Sequence, residues 1–218
     1  MKHPHAFIAH TGIATIVLLC CFFATGCLNF SELVQPALEV NYYTLEYEPP
    51  SLAEAAPAPV VIGINEFTAS PLYATGDMIY KKKDFLVAEY VYHRWRTPPA
   101  GMITYLLERD TRATGRYRGV YGPDGLARAR YIIEGSVDKF LENDAATDWR
   151  AELAISITLR DAGAAGRDGD GIVFQKHYET SQPCARNNPR AFAEAMSLAM
   201  KRLSAAIITD VHEKVKEG

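Results

Sequence analysis

The sequence predicts an α+β fold: a two-layer sandwich of mostly antiparallel sheet with two helices packed on one face. Three observations predict it. From Trp149 to Arg160, apolar residues (Trp149, Ala151, Leu153, Ile155, Ile157, Leu159) alternate with Arg150, Glu152, Ser156, Thr158 and Arg160. That period of two describes a strand with one buried and one largely polar face, the signature of an antiparallel sheet. Two later segments carry helical stripes instead: Met102, Ile103, Leu106 and Leu107, then Phe192, Met196, Ala199, Leu203, Ile207 and Val211. Strands with two helices to cover them form a layered α+β domain.

A chain of 218 residues, 48% of them hydrophobic, supports one ordinary core. The formal net charge is −3, with no stripe of Lys and Arg, which argues against nucleic acid as the main partner. No repeat at a solenoid period is visible.

The N-terminus carries the most specific signal. Lys2 and three early histidines precede an apolar run, Ile13–Phe23, and then Ala24-Thr25-Gly26-Cys27. The run is shorter than the roughly 20 residues that span a bilayer, so it reads as a signal peptide. Small residues before a cysteine resemble the lipobox of bacterial lipoproteins, with Ala24 where Leu is commonest. The resemblance implies that Cys27 takes a diacylglycerol and that residues 1–26 are removed. Leu28 in place of Asp after that cysteine implies the outer membrane. Cys20 and Cys21 would leave with the signal peptide, so Cys184 alone remains as a thiol, either buried near the last strand or paired between chains.

Residues 27–41 lack strong periodicity and read as a tether before a domain at 42–216. Tyr42–Tyr47 alternates as a first strand; Pro49–Pro59 is a surface loop; Val60–Asn65 is a continuous apolar strand, weakened by Gly63. Thr68–Asp77 reads as a loop. Met78–Lys82 and Phe85–Tyr92 form a hairpin through Lys82-Lys83-Asp84. Trp95 and Pro98-Pro99 then lead into the first helix, with Pro99 at the first helical position. Tyr117–Tyr121 is a short strand. The strands around Tyr131–Val137, Trp149–Arg160 and Ile172–Thr180 make a meander. Asn188 and Pro189 open a helix running to about Lys216, roughly 40 Å long. Few domains of this size cover such a length, so its end is expected to project or to meet a neighbour.

No catalytic constellation stands out, and enzyme is the poorer expectation. Gly115–Gly122 lacks the Lys and Ser/Thr of a phosphate loop. His93, His177 and His212 are scattered without zinc-site spacing, and Gly166–Gly171 lacks the ligands of a calcium loop. Ser136, Ser156 and Ser181 sit in no nucleophile elbow. No cofactor is expected. Tyr90, Tyr92, His93 and Trp95 serve either as packing, the commoner fate of large aromatics, or as a docking surface.

Asn41-Tyr42-Tyr43-Thr44-Leu45, Tyr90-Val91-Tyr92-His93-Arg94-Trp95 with Pro98-Pro99, and Ala129 to Phe140 together resemble the ABC-type transport auxiliary lipoproteins, including the paraquat-inducible protein C group. Arg96-Thr97 departs from the Ala or Glu common after the Trp in that family. The resemblance implies a non-catalytic, outer-membrane-anchored periplasmic adaptor. Its partners would be a mammalian-cell-entry (MCE) domain protein and the ABC permease and ATPase of a lipid transport system. Some relatives are thought to form rings. Tyr92, Arg94 and Trp95 are candidate contacts. Two alternatives stay open: a periplasmic carrier holding lipid between sheet and helices, and an assembly lipoprotein of another envelope or secretion complex.

Overall fold

The computed structural model describes residues 39–144, 148–164 and 171–217. Cys27, the signal peptide and most of the tether lie outside the described residues, as does most of the Gly166–Gly171 loop. The elements in chain order are β1 (Asn41–Tyr43), β2 (Ala58–Ile64), β3 (Thr68–Ala69), β4 (Asp77–Lys83), β5 (Leu86–Trp95), α1 (Pro99–Ala113), β6 (Tyr117–Tyr121), β7 (Tyr131–Asn143), β8 (Arg150–Asp161), β9 (Ile172–Pro183) and α2 (Pro189–Glu217).

The fold is mixed α/β, and the sheet is mixed rather than mostly antiparallel. Strands β7, β8 and β9 do form the antiparallel meander, and β4–β5 is an antiparallel hairpin. The other pairings, β1–β5, β2–β6, β2–β7, β3–β7 and β4–β7, are all parallel. The cause lies in the long β7. One edge pairs along its length with β8, while the opposite edge is shared by three strands in succession. Tyr131–Ile133 pairs with β2, Ser136–Val137 with β3, and Glu142–Asn143 with β4. Each of these enters in the same direction as β7, so the sheet forks.

Local sequence explains most of the elements. In α1 the predicted stripe is buried: Met102, Ile103, Leu106 and Leu107. In α2 the Asn188 side chain accepts a 2.9 Å hydrogen bond from the Ala191 N–H, capping an otherwise unsatisfied donor. Its stripe stays buried as far as Val215, so the domain covers the helix end that was expected to project. One hydrophobic cluster joins both helices to the sheet, with Trp95, Phe140, Phe192, Ile133, Leu153 and Ile155 among its members.

Three local expectations change. The first strand is only Asn41–Tyr43; Leu45 is buried without a ladder partner, so the alternation beyond Tyr43 records burial rather than pairing. Thr68–Asp77 contains β3 and a 3₁₀ turn, Pro71–Tyr73. Gly63 is a fitting device rather than a weakness. A Cβ there would come within 2.8 Å of Leu126 and 2.9 Å of the Ala129 side chain. On β7, Gly135 leaves room for the Phe67 ring in the same way.

Candidate docking surface

The hairpin β4–β5 and the chain leading into α1 hold the residues singled out from the sequence. Strand β5 pairs regularly with β4 in mid-hairpin, where Ile79, Tyr80 and Lys81 face Glu89, Ala88 and Val87, and the register slips by one at the tip between Lys81 and Lys83. The register then shifts: Asp77 faces Arg94, so Tyr90 to His93 stand opposite Met78 alone. This bulge breaks the alternation that Tyr-Val-Tyr-His suggests, and bulges re-aim side chains. Tyr90 and His93 turn the same way, in edge-on ring contact at 6.0 Å, while Val91 (69% exposed) and Tyr92 (40%) turn outward.

Among the described residues, the far edge of β5 is paired only where β1 lies beside His93–Trp95. Tyr42, opposite Arg94, is exposed, and the Arg96 guanidinium lies over its ring. Arg94 reaches Asp77 at 2.9 Å and keeps half its side chain in solvent. Tyr42, Val91, Tyr92, Arg94 and Arg96 therefore present an aromatic and basic surface around an open strand edge. Such surfaces suit protein contacts, because Tyr and Arg anchor interfaces and an open edge offers unpaired backbone groups.

Trp95 belongs to the interior. It is 2% exposed, with ring centroids of Phe140 and Phe192 at 5.2 and 5.4 Å in edge-on geometry. The structure thus brings Tyr92 and Arg94 to the surface and separates Trp95 from them.

Behind the bulge is a buried acid. Glu142 is fully buried, and the Tyr90 hydroxyl donates to its Oε2 at 2.5 Å, while Oε1 has no partner among the described residues. Burial pushes the Glu142 carboxyl above its ordinary value, outweighing the Tyr90 hydrogen bond that lowers it. The folded protein therefore holds this proton more tightly than the unfolded chain. Its contribution to stability is full below the unfolded carboxylate range and is lost as pH rises through the raised value. Accordingly, Glu142→Gln should gain stability relative to the wild type as pH rises from about 4 to 7, read from urea midpoints across that range; parallel curves would show that Glu142 does not titrate this way.

Cys184 is buried beside the start of β8, its N–H donating to the Trp149 carbonyl at 2.7 Å. Burial, reinforced by Glu142, pushes its thiol up to about 12, which makes it an unreactive core residue.

On the open face of the meander the structure assembles a group that the sequence scattered. Asp138 accepts hydrogen bonds from Ser136 and Ser156 and lies 3.2 Å from His177 Nδ1. Although burial opposes it, these hydroxyls and His177 hold the Asp138 carboxyl below its ordinary value. A shallow cavity of about 540 Å³ lies over Ser136, Ser156 and His177. Serine, histidine and aspartate invite comparison with a nucleophilic triad, but the connectivity differs. Ser156 is 3.0 Å from His177 Nδ1, the same nitrogen that faces Asp138. A triad needs the acid on one ring nitrogen and the nucleophile on the other. The register of β7, β8 and β9 predicts this cluster; composition and local motifs do not.

The fold is shared with known crystal structures. A protein from Xanthomonas campestris superposes with a TM-score of 0.73 at 13% identity, over 82% of this chain and 98% of that one. A second crystal structure, of an uncharacterized protein, gives 0.63 at 10% identity, over 79% and 99%. The PelC dodecamer from Paraburkholderia phytofirmans gives 0.44 at 14% identity, over 74% and 92%. The first two likenesses show a shared mixed α/β fold and nothing beyond it. The family follows from sequence: a family model for the ABC-type transport auxiliary lipoprotein component matches residues 43–208, and this chain belongs to that family. No curated protein matches it. Membership implies an accessory, non-catalytic role in ABC-type transport and a membrane-anchored place in the cell envelope.

Proposed function

We propose that this chain is an outer-membrane-anchored periplasmic adaptor, acylated on Cys27 after removal of residues 1–26. Residues 27–41 act as a tether for the domain at 42–216. The domain docks an MCE-domain protein of an ABC-driven lipid transport system, and several copies assemble as a ring. The observation that carries the docking role is the β5 bulge. It turns Val91 and Tyr92 outward on a strand whose far edge, among the described residues, is paired only at His93–Trp95. A strand with purely structural duties would place such residues inward, since exposed apolar edges invite association. ATP would be hydrolysed on the transporter's other chains.

The test is co-purification of the full chain with an MCE-domain protein from the same cells. Tyr92→Ala combined with Arg94→Gln should reduce recovery of the partner at least about tenfold, as expected for loss of hot-spot residues, with only the small loss of stability owed to a half-exposed Arg94–Asp77 pair. Undiminished recovery would place the interface elsewhere. Mass spectrometry of the processed N-terminus should find a lipid-modified Cys27, and native mass spectrometry of the complex should give the number of copies.

A further inference from the structure

We propose that the tip of the β4–β5 hairpin is a second membrane-contact element, one that seats on a bilayer surface containing anionic phospholipid. The tip reads Lys81-Lys82-Lys83-Asp84-Phe85-Leu86-Val87. Phe85 is wholly exposed, at 106% of its reference area, and Leu86 and Val87 beside it are also exposed, at 43% and 41%. Three lysines stand against a single aspartate. Asp84 is engaged by Lys81 at 2.8 Å, and Lys82 and Lys83 are exposed.

The backbone adds a separate observation. Phe85 has φ of 64°, the left-handed region that glycine or asparagine ordinarily fills. A large aromatic at that position is unfavourable for the backbone and, in water, for the side chain as well. Such an outlier points to function when the exposed group has something to meet. An aromatic ring with flanking lysines matches the bilayer interface: the ring enters the headgroup boundary and the ammonium groups meet anionic phosphates.

Chain direction favours a membrane over a protein as the occupant. Strand β1 runs parallel to β5, with Asn41 beside His93, so the chain enters β1 from the side where the tip lies. From Leu86 to His93 is at most about 23 Å at strand rise, and the bulge shortens it. The fourteen residue steps from Cys27 to Asn41 reach at most about 50 Å. An acylated Cys27 and the tip can therefore occupy one bilayer. This directional step rests on the proposed anchor; the charge and exposure of the tip do not.

The test reconstitutes the full processed chain carrying Phe85→Trp in vesicles of phosphatidylcholine and phosphatidylglycerol with brominated acyl chains, which quench tryptophan on contact. Position 85 should be quenched well beyond the wild-type background, which comes from buried Trp95 and partly buried Trp149. Lys82→Glu with Lys83→Glu should return quenching to background, since each lysine contributes about fivefold to adsorption on an anionic surface. Phe85→Gly provides a structural control: it should melt no lower than wild type and, in detergent-free vesicles, should leave the tip lysines more accessible to a water-soluble acylating reagent. Quenching at background in these vesicles would overturn the proposal. So would protection of position 85 only after the MCE-domain protein is added, which would mark the tip as a protein contact. Mass spectrometry of residue 27 in the same sample separates the two claims, because an acylated chain with an unquenched tip defeats this proposal and leaves the anchor standing.

Discussion

Asp110→Ala is expected to destabilise the domain by about 3–5 kcal/mol, the cost of opening a buried charged network. Asp110 is 0% exposed, and three parts of the chain converge on its carboxylate. Tyr47, in the segment after β1, donates to Oδ2 at 2.8 Å, and Ser204 of α2 donates to the same oxygen at 2.7 Å. Arg109 holds Oδ1 with two guanidinium nitrogens, at 2.9 and 2.7 Å, while its guanidinium also lies over the Tyr47 ring. Removing the carboxylate leaves the buried Ser204 hydroxyl and the half-buried Tyr47 hydroxyl without an acceptor, and a cation without its counter-ion. Burial, followed by Asp110 itself, raises the Tyr47 phenol far above its ordinary value, so Tyr47 remains a donor at any working pH. Ser204→Ala should cost only about 1–2 kcal/mol, because it removes one donor and leaves the ion pair intact. Urea denaturation of both variants and of the double mutant measures the coupling. If Asp110→Ala melts within experimental error of wild type, the carboxylate does not fasten the N-terminal segment to both helices.

No local pattern in the sequence marks this network. Asp110 lies in an amphipathic helix beside Arg109, where an acid and a base ordinarily face solvent. Only the docking of α2 and the extended segment around Tyr47 buries that side of α1. The same distinction separates what local pattern reveals from what it cannot. Stripes such as Met102–Leu107 and Phe192–Val211, the alternation of β8 and the Asn188 cap are each determined by neighbours in sequence, and each appears where expected. The parallel pairings of β2, β3 and β4 with β7 are set by crossovers. A strand's own residues do not say which edge it will meet or in which direction. Bulges are invisible for a related reason: Tyr90-Val91-Tyr92-His93 alternates well enough on paper, but the extra residues opposite Met78 reverse which side chains face out. The Ser136, Asp138, Ser156 and His177 group needed the β7–β8–β9 register, which no motif encodes.

Trp95→Ala is expected to cost about 3–5 kcal/mol, through lost burial and the cavity left behind. The indole is edge-on to Phe140 of β7 and Phe192 of α2, so it links the hairpin to both the central strand and the long helix. Edge-on aromatic pairs add about 0.5–1.5 kcal/mol each beyond the area they bury. Its Nε1 has no partner among the described residues, so a hydrocarbon ring forfeits no hydrogen bond there. Trp95→Phe should therefore cost only about 1–2 kcal/mol, the part owed to volume. The pair of variants separates packing from contact. If Trp95 met a partner directly, Trp95→Ala would fold with near wild-type stability and fail in co-purification. With Trp95 in the core, the alanine variant loses stability first, whereas the phenylalanine variant keeps both fold and partner. Because Trp95 immediately follows Arg94 and closes the bulged strand, loss of its anchorage should also free Tyr92 and Arg94. Hydrogen exchange at residues 90–95 should then accelerate in the alanine variant and hold near wild type in the phenylalanine one. Equal exchange in both would mean that the bulge keeps its shape without the indole, and that the docking surface does not depend on the core beneath it.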